Sequence, residues 1–250
     1  MNNKLNCEIY GISLLGSDRY YKLKKYLKKK SFDVKIIKAF SCESKKFNSI
    51  KNSLSYVKCS KFHNGRLPTD REVACFISHL NAIKESDINK TLLILEDDAR
   101  LKVSSNLFKK ILMQLENIES YDIILLGFSK SDSKTETYLN LVNPFLRFLK
   151  LPINNQTYLV GDRFKHSTSG AVGYFISAKA KQKIIRHEKI FRFADDWLLL
   201  EDLGLKIGYL KPTIIKEDIS VVSSLNHEQY YMRPRKTGFI IFDFVLYFRR

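Results

Sequence analysis

Thr91-Leu-Leu-Ile-Leu-Glu-Asp-Asp-Ala-Arg100 is the stretch on which the fold turns. Its apolar start reads as a strand buried on both faces, the pattern of a parallel sheet. Three carboxylates follow at once, Glu96, Asp97 and Asp98. Alternation would set Glu96 and Asp98 on one side, about 7 Å apart, with Asp97 opposite. Adjacent carboxylates repel one another, and a divalent cation is the usual means of holding such a group ionised. The end of a buried strand is also where open α/β sheets bind ligands. Two readings fit the triplet: a metal–phosphate site, or a solvated turn or helix cap.

The segments on either side repeat the strand–helix alternation. Glu8 to Leu15 alternates with Ile9, Ile12 and Leu14 and predicts a strand. Ser17 or Asp18 then caps a helix to about Lys30, with Leu23, Tyr26 and Leu27 inward and six lysines outward. Asp33 to Phe40 predicts a second strand, giving a βαβ unit with a right-handed crossover. The lysine face reads as a solvated surface or as a membrane or phosphate contact. Residues 41–67 are polar and irregular, a connection folding over one face of the sheet. Thr69 with Glu72 is a capping box, and Val73, Phe76, Ile77, Leu80 and Ile83 share one face of the helix it starts. On that face pattern Ser78 lies on the far side of the helix and His79 on its flank.

Beyond the acidic triplet, Ser104 or Ser105 caps a helix, and Tyr121 to Phe128 predicts another buried strand. Residues 129–168, broken at Pro144 and Pro152, leave room for short edge strands. Ser169 to Ile176 is a glycine-punctuated strand, where backbone approaches a ligand closely. Asp195-Asp196-Trp197 opens a helix that closes at Gly204. The order predicts an α/β protein with one domain over residues 1–232. Residues 233–250 form a basic and aromatic tail, either packed on the core or lying in a membrane interface.

Composition narrows the class. Hydrophobic residues make up 44%, enough for a core. No 18-residue apolar run offers a spanning helix, and the N-terminus does not read as a secretory signal. Four scattered cysteines without a CxxC pair argue against a zinc site and suit a reducing cytoplasm. The net charge of +17 favours polyanionic partners: nucleotide phosphates, an anionic membrane or nucleic acid.

Four motifs in register resemble glycosyltransferase family 25, which makes bacterial lipooligosaccharide and includes collagen galactosyltransferases. Arg71-Glu-Val-Ala-Cys-Phe-Ile-Ser-His-Leu80 is similar to its E-x-x-C-x-x-S-H helix, and Leu95-Glu-Asp-Asp98 to its L-E-D-D metal motif. Ser169-Gly-Ala-Val-Gly-Tyr-Phe-Ile-Ser177 is similar to its G-x-x-G-Y-x-I-S strand, and Ala194-Asp-Asp-Trp197 to its D-D segment before an aromatic. The opening strand departs from the family's I-N-L-D-R-R, reading Ile12-Ser-Leu-Leu-Gly-Ser-Asp-Arg19.

The resemblance implies a GT-A type fold, with a mixed, mostly parallel sheet flanked by helices. It also implies inverting transfer of a hexose, most often galactose, from a UDP-sugar to a lipooligosaccharide or lipopolysaccharide acceptor. The enzyme would be cytoplasmic or peripheral on the inner membrane. Asp98 and Glu96 would bind Mn²⁺ or Mg²⁺, with His227 as the positional candidate for a late histidine ligand. Asp195 or Asp196 would be the base that takes the acceptor hydroxyl's proton; simple helix capping is the competing reading of that pair. Arg19, Ser78, His79, Glu96, Asp97, Ser169 and Gly170 would line the donor and acceptor sites. A metal-dependent nucleic-acid enzyme accounts for the charge and the carboxylates, but not for the Gly-Tyr strand or the Asp-Asp-Trp segment. A non-catalytic membrane-surface protein organised by the tail is the remaining alternative.

Overall fold

The structure is a computed structural model that describes residues 5–30, 33–55, 68–129, 147–162 and 170–218. Ser169, His227 and the 233–250 tail lie outside the described residues. In chain order the elements are β1 (Cys7–Ser13), α1 (Asp18–Lys29), β2 (Lys35–Lys38), α2 (Phe47–Ser53), α3 (Asp70–Glu85), β3 (Thr91–Glu96), β4 (Ala99–Leu101) and α4 (Ser105–Leu115). There follow β5 (Ile123–Leu125), β6 (Phe148–Ile153), β7 (Gln156–Asp162), β8 (Gly173–Ile176), α5 (Ala178–Arg186), α6 (Trp197–Asp202), β9 (Ile207–Lys211) and β10 (Ile215–Glu217).

Eight strands form one mixed sheet in the order β2-β1-β3-β8-β5-β9-β7-β6. β1 pairs parallel with β2 and β3, and β5 parallel with β9. β8 runs antiparallel between β3 and β5, and β7 antiparallel between β9 and β6. Only β8 and β7 therefore run against the common direction. β10 pairs with β4 in a separate two-stranded ribbon. The expected mixed sheet flanked by helices is present. The βαβ opening holds, with β2 shorter than predicted, and the connection after it contains the short helix α2.

Burial follows the alternation of β3 directly. Leu92 and Ile94 join the core on one face with Val73, Phe76, Ile77 and Ile83 of α3, Ile184 of α5 and Trp197 of α6. Leu93 and Leu95 join the core on the other face with Ile9, Phe108, Ile111 and Leu112. Each such side chain contributes roughly 1.5–3 kcal/mol on burial. The register of β3 is thus fixed by apolar packing before its acids are considered, because a one-residue slip would exchange the two faces.

Helix α3 starts where the capping box predicts. The Thr69 hydroxyl accepts from the Glu72 amide at 3.3 Å, and the Glu72 carboxylate accepts from the Thr69 amide at 2.8 Å. Its burial is wider than one face, however. Ser78 and His79 are both buried, not outward or flanking. The loop after β2 covers the side where Ser78 sits: the Phe40 amide donates to the Ser78 hydroxyl at 2.8 Å, and that hydroxyl donates to the Ala74 carbonyl at 2.7 Å.

Close backbone approach joins β5 to the ribbon. A Cβ at Gly127 would lie 2.5 Å from the Ile215 carbonyl oxygen and 3.1 Å from Val172. Gly127→Ala should therefore destabilise by roughly 1–3 kcal/mol, as overpacking does. A thermal melt that coincides with wild type would remove this contact from the list of constraints on the ribbon.

Candidate active site at the end of the central strand

β3 delivers its acids to the edge where β1 and β5 also end. Glu96 stays on the α3 side, on the face of Leu92 and Ile94, where the His79 Nε2 lies 3.5 Å from its Oε1. The chain then leaves the strand in a turn, so strict alternation does not continue to Asp98. Asp97 and Asp98 instead share one guanidinium: Arg19, in the first turn of α1, pairs with the Oδ1 of Asp97 and, at 2.5 Å, with the Oδ2 of Asp98. Ser13, the last residue of β1, donates its hydroxyl to the Oδ2 of Asp97 at 2.9 Å. The expectation of Asp97 facing away from Asp98 is corrected by this shared partner. Turn residues have no pleat to obey, and the arginine draws both carboxylates together.

The group is short of positive charge. Asp98 is 5% exposed, and its Oδ1 is buried with no hydrogen-bond partner among the described residues. Burial, then the charge of Glu96, pushes its carboxyl up to about 7 against the pull of Arg19, with Glu217 and Asp97 adding to the rise. Asp97 is raised as well, burial outweighing Arg19 and Ser13. Two carboxylates share one guanidinium, and a buried carboxylate oxygen without a donor is the kind of atom a hard cation binds. That oxygen of Asp98 fits the chemistry of a divalent-metal ligand, while Glu96 stands on the α3 side of the strand end.

A second donor set touches the same carboxylate. Cys75 and His79, one turn apart on α3, lie with Glu96 so that one ligand atom from each falls within 4.8 Å of the others. His79 Nδ1 is 2.7 Å from the hydroxyl of Tyr174 on β8, and the two rings stack at 5.8 Å. Trp197 meets the Tyr174 ring edge-on at 5.2 Å. Tyr174–His79–Glu96 is thus a continuous polar chain inside an aromatic wall, and it aims the Glu96 carboxylate. The spacing of Cys75 and His79 at i and i+4 was legible in the sequence. That Tyr174 completes the chain depends on the β3–β8 register, which pairs Ile94 with Tyr174.

The Asp195-Asp196 segment arrives from above α6. Asp195 accepts from the Gly170 amide at 2.7 Å. Gly170 has φ +97°, and any side chain there would overlap Ser129, so the amide can be presented only by glycine. Asp196 is buried as the N-cap of α6, its Oδ1 accepting from the Leu199 amide at 3.2 Å. The Cys75 thiol is pushed well above its ordinary value, by burial first and then by the charges of Glu96, Asp195, Glu72 and Asp97. Both acidic segments thus contribute charge at the Cys75 thiol. Of the residues expected to line the site, Arg19 joins Asp97 and Asp98, His79 meets Glu96, and Gly170 meets Asp195. Ser78 instead anchors the loop after β2.

Comparison with known proteins shows the family. Residues 6–199 match glycosyltransferase family 25 (LPS biosynthesis protein). The chain belongs to that family, and its role is that of a glycosyltransferase. Among solved structures, the apo form of mouse xyloside xylosyltransferase 1 is 11% identical, with a TM-score of 0.34 over 81% of this chain and 73% of that one. No curated protein matches.

The raised carboxyl of Asp98 has a consequence for stability. The folded protein holds this proton more tightly than the unfolded chain, whose value is near the ordinary 3.8. The associated stability is complete below that value and is lost as pH rises toward about 7. Asp98→Asn stays neutral throughout, so it should melt higher than wild type near pH 8 and close to it near pH 4, by roughly several degrees at the upper end. Equal displacement of the melting curve at both pH values would contradict this.

Proposed function

We propose that the protein is an inverting hexosyltransferase that moves a hexose, most often galactose in its family, from a UDP-sugar to a lipooligosaccharide or lipopolysaccharide acceptor sugar. The observation that carries this is the pairing of Arg19 with Asp97 and Asp98 at the end of β3; the Asp195 carboxylate, held by the Gly170 amide, supports it. A departing nucleoside diphosphate gathers negative charge, and that charge needs a partner at its leaving oxygen. Arg19 is placed to supply one, by turning its guanidinium from the Asp97 and Asp98 carboxylates toward a phosphate. Glu96 and Asp98 would hold Mn²⁺ or Mg²⁺, which when bound supplies further neutralisation of a diphosphate.

The acceptor hydroxyl is a weak nucleophile at neutral pH and must lose its proton as it attacks. Asp195 takes the role of base. Its carboxylate is oriented by the Gly170 amide, whereas Asp196 is committed to the α6 N-terminus. In a single displacement the acceptor oxygen bonds to the anomeric carbon, the bond to the UDP oxygen breaks, and the proton passes to Asp195. Tyr174 and His79 act through Glu96 and set its direction.

The test is UDP release from UDP-galactose, with UDP-glucose and UDP-N-acetylhexosamines in parallel, in the presence of Mn²⁺ and a truncated lipooligosaccharide. Asp98→Asn should lower turnover by about 10²-fold or more, the scale of losing one aimed electrostatic contact. Asp195→Asn should lose turnover while still binding UDP. Asp196→Ala should instead cost about 1 kcal/mol of stability as a lost cap, with a milder effect on rate. Equal, mild effects of the two aspartate variants would sink the assignment of the base.

A further inference from the structure

We infer that the β1–α1 corner is a docking surface for an anionic phospholipid bilayer. Five large hydrophobic side chains are exposed among the described residues, and three of them lie at this corner: Leu14 at 43%, Leu15 at 51% and Tyr21 at 60%. The leucines are held out by a built turn. The Leu14 carbonyl accepts from the Ser17 amide at 3.2 Å and from the Ser17 hydroxyl at 2.7 Å, and that hydroxyl also caps α1 by accepting from the Tyr20 amide. Gly16 crosses the turn at φ +79° with open space around it. Nothing in this arrangement turns either leucine back toward the core.

Charge along α1 selects the partner. Tyr21, Lys25 and Lys28 fall at i, i+4 and i+7 on the face of α1 opposite the buried Leu23 and Leu27, with Lys29 next to them. Lys25, Lys28 and Lys29 are exposed and make no ion pair with a described carboxylate. Adjacent aliphatic side chains, a tyrosine and a lysine row are the composition of an interfacial element: the apolar tips enter the acyl boundary, the phenol sits among headgroups and the ammoniums meet lipid phosphates. A nucleic-acid surface would have use for the lysines and none for two projecting leucines, since bases stack on aromatic rings.

The corner also adjoins the site. Leu14 follows Ser13, whose hydroxyl holds Asp97. A bilayer resting on Leu14 and Leu15 lies beside the mouth of the acidic cluster, where a lipid-linked acceptor would present its sugars. The inference deepens the proposed function and rests on it for the nature of the acceptor, but not for binding to lipid.

The experiment is sedimentation of the full chain, tail included, with phosphatidylglycerol–phosphatidylcholine vesicles and with phosphatidylcholine alone, and transfer to a soluble truncated acceptor measured alongside. The wild type should sediment with the anionic vesicles and be released by salt. Leu14→Ser with Leu15→Ser, and separately Lys25→Glu with Lys28→Glu and Lys29→Glu, should each weaken that binding by at least about tenfold, given how strongly single juxtamembrane cations contribute. Both variants should keep the wild-type melting temperature and soluble-acceptor turnover. Undiminished vesicle binding by both variants would overturn the inference, as would a wild type that ignores anionic vesicles. Loss of transfer with vesicle binding retained would count against the hexosyltransferase reading alone.

Discussion

The pairing of Arg19 with Asp97 and Asp98 is the constraint on which the site depends. It ties the first turn of α1 to the end of β3 and closes the corner that Ser13 begins. One guanidinium against two carboxylates leaves the group under-neutralised, and the rise of the Asp98 carboxyl toward neutrality is the electrostatic record of that shortfall. A fold that kept only its own stability would place an apolar residue at such a position, because buried charge imposes a large desolvation cost. The acids persist at the edge of the sheet where a phosphate-bearing donor of a glycosyltransferase would approach.

The opposite side of the same strand end is organised differently. Glu96 faces α3, where its carboxylate lies 3.5 Å from His79 Nε2, and His79 is in turn held by the Tyr174 hydroxyl and ring. Trp197 and Tyr174 form the wall behind it. α6 therefore has two tasks: its N-cap Asp196 holds the helix, and the residue before it, Asp195, reaches the loop at Gly170. One carboxylate of the pair stabilises and its neighbour is presented. This division follows from position alone, because only the N-cap side chain can reach the first free amides of a helix.

The location of the corner at Leu14 and Leu15 links the catalytic edge to the outside of the molecule. A turn that caps α1 also exposes two leucines, so one set of hydrogen bonds serves the helix and the surface. Enzymes acting on lipid-linked acceptors gain from such an arrangement, since diffusion on a surface replaces a search in solution.

Much of this was legible in the residues themselves. The apolar run of β3, the capping box at Thr69 and the strand–helix alternation are local patterns, fixed by period and by capping chemistry, and each appears where its pattern places it. The acidic triplet, Gly170 and the Asp195-Asp196 pair stood out for the same reason. Tertiary structure alone decided the partners. Arg19 crosses to β3 because β1 and β3 lie side by side, Tyr174 reaches His79 because β8 inserts next to β3, and Ser78 is buried because a loop folds over α3. Sequence spacing carries no information about neighbours brought together by strand order, and that is why the acids could be named in advance but not the groups that hold them.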